Sequence, residues 1–215
     1  MKEYDYSVIK DHKLYGFIGT VFAFLPHLFR NIRVVGKENV PPTGGRLILA
    51  ANHVNTFDPV VLGFAVTKKH PFFFMSKQEL FGNSISALVI RNLNGFPIKR
   101  GQHDHTAIRY AGDIVKSGRT LGIFVEGTRS RGEHPQPAKP GVAIVARDAQ
   151  ADILPVAIYS EKKGSVFSKL TIRFGQVIPH EELGFDGSGS REETQLVAER
   201  VMDEIRALWD QKHER

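Results

Sequence analysis

The sequence predicts an α/β fold in which a mixed, partly parallel sheet is flanked by helices. Three observations carry this. Short β-type runs alternate with helical ones along most of the chain, the pattern of strand–helix–strand units. Apolar residues make up 41% of the 215, enough for a sizeable core. Polar clusters follow directly on apolar strands, as in NHVNTFD (52–58) and EGTRSRG (126–132). Ligands of open α/β sheets sit at such positions, beyond the carboxyl ends of the strands.

The elements follow in order. Residues 8–30 read as one or two aromatic-rich helices. The longest apolar stretch, LYGFIGTVFAFLPHLF (14–29), is interrupted by Gly16, Gly19, Thr20, Pro26 and His27. A membrane span needs about 20 mostly apolar residues, so this segment suits an interfacial helix or one packed on the body. It divides the chain into an N-terminal segment, 1–32, and a main domain, 33–215. VPPTGG (40–45) is a turn cluster. Strands are expected at Arg46–Ala51, Pro71–Met75, Gly95–Lys99, Leu121–Val125, Ile153–Tyr159 and Leu170–Val177. Pro155 is expected at a bulge or an edge. Helices are expected at 59–67, 78–91, 104–117, 139–149 and 191–211. In the last, Leu196, Val197, Val201, Ile205 and Leu208 form an apolar face that docks the helix on the core. GFDGSGSREE before it reads as a flexible connector.

Charge and composition narrow the function. The net charge of +6 favours anionic partners: nucleic acid, an acidic membrane surface or phosphorylated small molecules. The Lys and Arg residues are scattered and show no nucleic-acid-binding signature, which argues against nucleic acid. Cysteine is absent, which excludes a disulfide scaffold, a Cys-ligated zinc and a Cys-bound intermediate. No metal site is expected: HExxH-type spacings do not occur, and in His103–Asp104–His105 the aspartate reads as a helix N-cap.

His53 and Asp58 are five positions apart, about 140° on a regular helix, so on one helix they would not meet. They meet if His53 ends a strand and Asp58 opens the next helix as its N-cap, with Pro59 in the first helical position. The carboxylate would then fix the imidazole tautomer and leave the other ring nitrogen free as a base. The plainer reading is a capping aspartate beside a loop histidine. FVEGTRSRG (124–132) brings Glu126, Gly127, Thr128 and Arg129 after a strand. It is either a solvated basic turn or an anion site, since guanidinium groups bind phosphate bidentately. It is not a P-loop, for Thr128 and Arg129 stand where Lys and Ser/Thr are required. GFPIKRG (95–101) ends a strand in Lys99 and Arg100, and Lys139 precedes a helix.

Taken in order, NHVNTFD, GFPIKRG, FVEGTRSR and ILPVAI resemble the four motif blocks of the glycerolipid acyltransferases, with the best match to the 1-acylglycerol-3-phosphate (lysophosphatidate) acyltransferase family. The resemblance runs from about residue 33 to 178; the first and third blocks are the specific ones. It implies a glycerol-3-phosphate acyltransferase-like fold. It also implies transfer of an acyl group from acyl-CoA or acyl carrier protein to the sn-2 hydroxyl of lysophosphatidate, giving phosphatidate, with no cofactor. His53 would be the catalytic base and Asp58 its orienter. Arg100, Lys99, Gly127, Thr128, Arg129 and Lys139 would surround the acceptor's phosphate, with Glu126 holding that loop or its arginines. Val125 stands where the family usually has proline, and Asn55–Thr56 where serine is common. The N-terminal segment is similar in character to membrane-docking helices, which implies a peripheral or monotopic protein on the cytoplasmic face of the plasma membrane. Related acceptors, glycerol 3-phosphate at sn-1 or a lyso-aminolipid, share these motifs; a non-catalytic lipid-binding module is the rival from another class.

Overall fold

The computed structural model describes residues 4–10, 31–66, 72–130, 132–161 and 168–214. The elements are β1 (Ile32–Val35), β2 (Leu47–Ala51), α1 (Asp58–Val66), β3 (Phe72–Lys77), α2 (Ser84–Asn92), β4 (Gly95–Ile98), α3 (His105–Lys116), β5 (Thr120–Phe124), α4 (Gly141–Ala149), β6 (Asp152–Ser160), β7 (Leu170–Phe174) and α5 (Arg191–Asp210). All seven strands form one sheet in the order β1-β7-β6-β2-β5-β3-β4. Only β6 and β7 pair antiparallel; every other pairing is parallel. The fold is thus α/β, with a mostly parallel mixed sheet between helical layers. β2 through β6 share one direction, and their carboxyl ends open on the same side of the molecule.

Both faces of the sheet are covered, which is why its strands read as near-continuous apolar runs. One core joins Ile48, Ala50, Phe73 and Ile153 to α3, α4 and α5. The other joins Leu47, Leu49, Phe72, Phe74 and Ile172 to α1, with Ile90 of α2 half-buried against it. The alternation Leu47/Ile48/Leu49/Ala50 is the two-residue period of a strand splitting between two layers.

Several expectations are refined. β1, four half-buried residues at an edge, was not expected; so short a run carries no periodic signal. The helix expected at 78–91 divides. A 3-10 turn over Gln78–Phe81 gives way at Gly82, and Asn83 starts α2 by accepting from the Ile85 and Ser86 N–H groups, as N-cap asparagines do. Pro155 lies in β6, an interior strand rather than an edge. It sits at the end of the β6–β7 ladder, whose paired residues begin at Val156, and its carbonyl still accepts the Gly175 N–H at 2.9 Å, so the ring removes one donor at the margin of the pairing. On α5 the buried stripe is Val197, Val201, Ile205 and Trp209. Leu196 is 72% exposed, one step of about 100° off that stripe. The connector before α5 is held down: the Gly187 N–H donates to Glu193 Oε1 and Arg147 Nη1 to the Gly189 carbonyl.

Asn52 shows how the sheet is closed at the site. Fully buried, it donates from Nδ2 to the Ile158 carbonyl at 2.9 Å and accepts the Ile158 N–H at Oδ1, 2.7 Å. A side chain thus continues the β2–β6 pairing after the backbone has turned away. Asn52→Leu would leave both Ile158 groups unpaired, at about 1–3 kcal/mol each. A lowered urea midpoint with unchanged slope is the expected result; an unchanged midpoint would show that the bridge is dispensable.

At the N-terminus, Tyr4 and Tyr6 pack on Tyr110, and Tyr6 donates to the Pro97 carbonyl. Residues 4–10 therefore lie on the main body at the β4 edge, as a turn between irregular stretches. Most of the segment expected to be helical, 11–30, lies outside the described residues. Among the described residues no helix is long and apolar enough to cross a membrane.

Candidate active site

The register of two parallel strands assembles the site. Ala51 lies opposite Phe124, so His53 and Glu126, each two residues further on, emerge side by side. Glu126, only 2% exposed, ties the two loops together. Its Oε1 accepts the His53 N–H at 2.9 Å and the Ser130 hydroxyl at 2.6 Å. Its Oε2 accepts the Gln136 N–H at 3.0 Å, and the Ser130 N–H donates to the His53 carbonyl at 2.7 Å. Of the two roles the sequence allowed Glu126, holding the loop is the one its contacts support; it makes no ion pair with an arginine among the described residues.

His53 Nδ1 lies 2.7 Å from Asp58 Oδ2, with both side chains buried. The same oxygen accepts the N–H groups of Val54 at 2.6 Å and Asn55 at 2.8 Å. An ionised carboxylate only accepts, so Nδ1 carries the proton and Nε2 keeps a free lone pair. The route to this pair differs from the expected one. Asp58 is the first residue of α1 rather than its cap: the Val60 and Val61 N–H groups go to the Phe57 carbonyl. The carboxylate instead turns back to collect the donors of the loop before it. Its Oδ1 is buried without a partner among the described residues, so Oδ2 organises the loop and the imidazole. Phe124 stacks on His53, centroids 4.2 Å apart and planes 23° from parallel, and fixes the ring on its other side. The sequence reading missed Phe124; the register places it beside the histidine loop.

Arg129 Nη1 donates to the Thr56 hydroxyl at 2.9 Å, which brings a guanidinium over the histidine loop. Thr56 was also missed as a site residue. Lys99 and Arg100 follow β4, three strands from β2 and so about 14 Å away by strand spacing, yet the Arg100 side chain comes within electrostatic reach of Arg129. Burial holds the Arg100 guanidinium below its ordinary value; Glu79 pulls it back up and the like charge of Arg129 pushes it down. It stays protonated at neutral pH. Two guanidiniums within electrostatic reach of each other favour an anion nearby. Thr128 is exposed beside them. Gly127 adopts φ +70°, and a Cβ there would come 3.2 Å from Lys139 Cγ, so the turn needs glycine both for its backbone and for the lysine passing over it. Lys139 is itself anchored through its N–H to the Val125 carbonyl at 2.8 Å. Lys99 is exposed, and its N–H is taken by Asp104 Oδ2 at 2.9 Å. Asp104 also caps α3, accepting the Ala107 N–H at 3.1 Å. The histidine loop is therefore met by Arg129 of the β5–α4 connection, and through it comes within reach of Arg100 of the β4–α3 connection.

Residues 31–159 match the family model described as Acyltransferase. This chain belongs to the acyltransferase family. It is similar to the 1-acyl-sn-glycerol-3-phosphate acyltransferase of Streptococcus pneumoniae, 31% identical over 92% of this chain and 74% of the relative. It is also similar to that of Bacillus subtilis, 25% identical over 91% of this chain and 96% of the relative. Among solved structures, the 1-acyl-sn-glycerophosphate acyltransferase of Thermotoga maritima superimposes with a TM-score of 0.67 at 25% identity, covering 91% of this chain and 76% of the other. This acyltransferase thus shares with those relatives the region that carries the paired histidine and aspartate and the arginine loop.

Proposed function

We propose that this acyltransferase moves an acyl group from a thioester, acyl-CoA or acyl carrier protein, to the sn-2 hydroxyl of 1-acylglycerol 3-phosphate, giving phosphatidate. The observation that carries the reading is the buried His53–Asp58 pair, 2.7 Å apart, beside a loop whose Arg129 is tied to the histidine loop through Thr56. The acceptor's phosphate sits between Arg129 and Arg100, with Thr128, Gly127, Lys139 and Lys99 around it. Its sn-2 hydroxyl then faces His53 Nε2, which takes the proton as the oxygen attacks the thioester carbonyl. Asp58 offsets the imidazolium charge without itself taking a proton. Collapse of the tetrahedral intermediate breaks the C–S bond, and the imidazolium returns the proton to the departing thiolate. A thioester is already activated, so no acyl-enzyme is needed, and the chain has no cysteine to form one. The test is to incubate the protein with lysophosphatidate and a panel of acyl-CoA and acyl carrier protein donors and to follow phosphatidate. No phosphatidate with any donor would overturn the reading.

Arg129→Ala is expected to raise KM for lysophosphatidate about 10–100-fold with a smaller change in kcat. A charge-assisted hydrogen bond is worth about 1.5–3 kcal/mol, and 1.4 kcal/mol is tenfold in affinity. A variant with unchanged KM would remove Arg129 from the phosphate site.

The protein works at a membrane surface, on its cytoplasmic side, through residues 1–32 as an interfacial segment beside the acyltransferase domain 33–215. Tyr15, Phe17, Phe22, Phe24, Leu25, Leu28 and Phe29, with Lys13, Arg30 and the adjoining Arg33, give that segment and its border the composition of a peripheral anchor. Serine at Phe17, Phe22, Phe24 and Leu25 together is expected to weaken co-sedimentation with anionic vesicles at least tenfold. Undiminished lipid binding would refute the anchor.

A further inference from the structure

We infer that the outward face of α2, with the turn before it, is a second lipid-contacting surface that seats the mouth of the active site on an anionic bilayer. The inference rests on the proposed function for its substrate. Ile85, Leu88 and Val89 stand at i, i+3 and i+4, one stripe of a helix, and are 75%, 63% and 39% exposed. Leu80 in the preceding turn is 44% exposed. α2 buries no residue fully; its inward side is served by Ile90, half-buried on the core. So this helix carries apolar residues on two sides, and its own fold uses only one. An apolar stripe on a solvent face costs solubility without adding stability, and contiguous patches of this kind mark contact surfaces.

Position and charge select the occupant. α2 returns from the carboxyl end of β3 to the start of β4, so Leu80 and Ile85 lie at the end of the sheet where the site opens. The link is traceable through Arg129, held to Thr56, and Arg100, within electrostatic reach of both Arg129 and Glu79, next to Leu80. Lys77, Lys99 and Arg129 are exposed at this end, with Arg100 among them. The nearby carboxylates are already engaged: Glu79 with Lys77 at 3.2 Å, and Asp104 with backbone N–H groups. Apolar side chains bordered by an excess of positive charge complement an anionic headgroup layer over acyl chains. The acceptor is an amphiphile whose chain lies in the bilayer while its phosphate lies at the surface. A contact here leaves the phosphate opposite the arginines without extracting the chain.

The chain has no cysteine, so a single introduced thiol can carry an environment-sensitive fluorophore on the full-length protein. Leu88→Cys and Leu196→Cys form a matched pair. Both leucines are exposed, but Leu196 lies on α5, on the opposite face of the sheet. With vesicles of phosphatidylcholine and phosphatidylglycerol, the label at Leu88→Cys is expected to shift to the blue and to be quenched by lipid-borne quenchers. The label at Leu196→Cys is expected to remain aqueous. In parallel, Ile85→Asp/Leu88→Asp should lower phosphatidate formation from long-chain lysophosphatidate in vesicles about tenfold or more, since burying one such side chain is worth about that. Turnover of a short-chain, water-soluble lysophosphatidate should be unchanged. An aqueous label at Leu88→Cys overturns the inference. So does equal loss on both substrates, or a label that is shielded without vesicles as protein concentration rises, which would mark a contact between copies. The label reads lipid contact without turnover: a shifted label in a protein that forms no phosphatidate would refute the proposed function while leaving this surface intact.

Discussion

His53→Ala is expected to lower kcat by about 10²–10⁴, the usual contribution of a positioned general base, while the protein remains folded. The two effects separate because of how the site is built. The imidazole is one of three donors on Asp58 Oδ2; without it the carboxylate still accepts the Val54 and Asn55 N–H groups, and the loop keeps its shape. The His53 main chain stays tied to Glu126 and Ser130. Circular dichroism should therefore match that of the parent protein while single-turnover acyl transfer slows. Turnover near the parental rate would rule out His53 as the base. Asp58→Asn should also be slow, because an amide cannot accept from three donors and carries no charge to offset an imidazolium.

Glu126→Ala is expected to cost both stability and activity. It strips the acceptor from the His53 and Gln136 N–H groups and from the Ser130 hydroxyl, all at or near the buried junction of the two loops. At about 1–3 kcal/mol for each buried donor left unpaired, a total near 3 kcal/mol is a conservative expectation. For a domain of this size that lowers Tm by about 6–12 °C. Activity should fall as well, since the junction holds the histidine loop against the arginine loop. Thermal denaturation beside kinetics separates this from a contact with substrate: a large rate loss at unchanged Tm would mean that Glu126 touches the acceptor instead. Arg129→Ala, at an exposed position, should leave Tm alone.

Much of the fold was legible because its signals are local. Apolar runs bounded by turn residues gave six of the seven strands, and Asp104, read as an N-cap, stands where α3 begins. What was missed lacked such a signal. β1 is too short to show a period, and it is a strand because β7 lies beside it. Leu196 was assigned inward because a five-residue apolar face spans a wide arc, and only packing decides which edge of the arc is covered. Asp58 followed by Pro59 looks like a cap and first turn. The structure spends that carboxylate on the preceding loop, a preference set by three converging donors rather than by the dipeptide.

Residue types and their order alone determined that this chain is a layered α/β protein of the acyltransferase family, and they singled out the loops after β2 and β5 and the side chains proposed to act there; hydrophobic period and side-chain chemistry are properties of short stretches. Only the tertiary structure decided that Glu126 ties the two loops together, that Phe124 and Thr56 lie against His53 and Arg129, and that α2 turns apolar residues outward. Those facts depend on strand register and helix orientation, which are set by contacts between residues far apart in the chain.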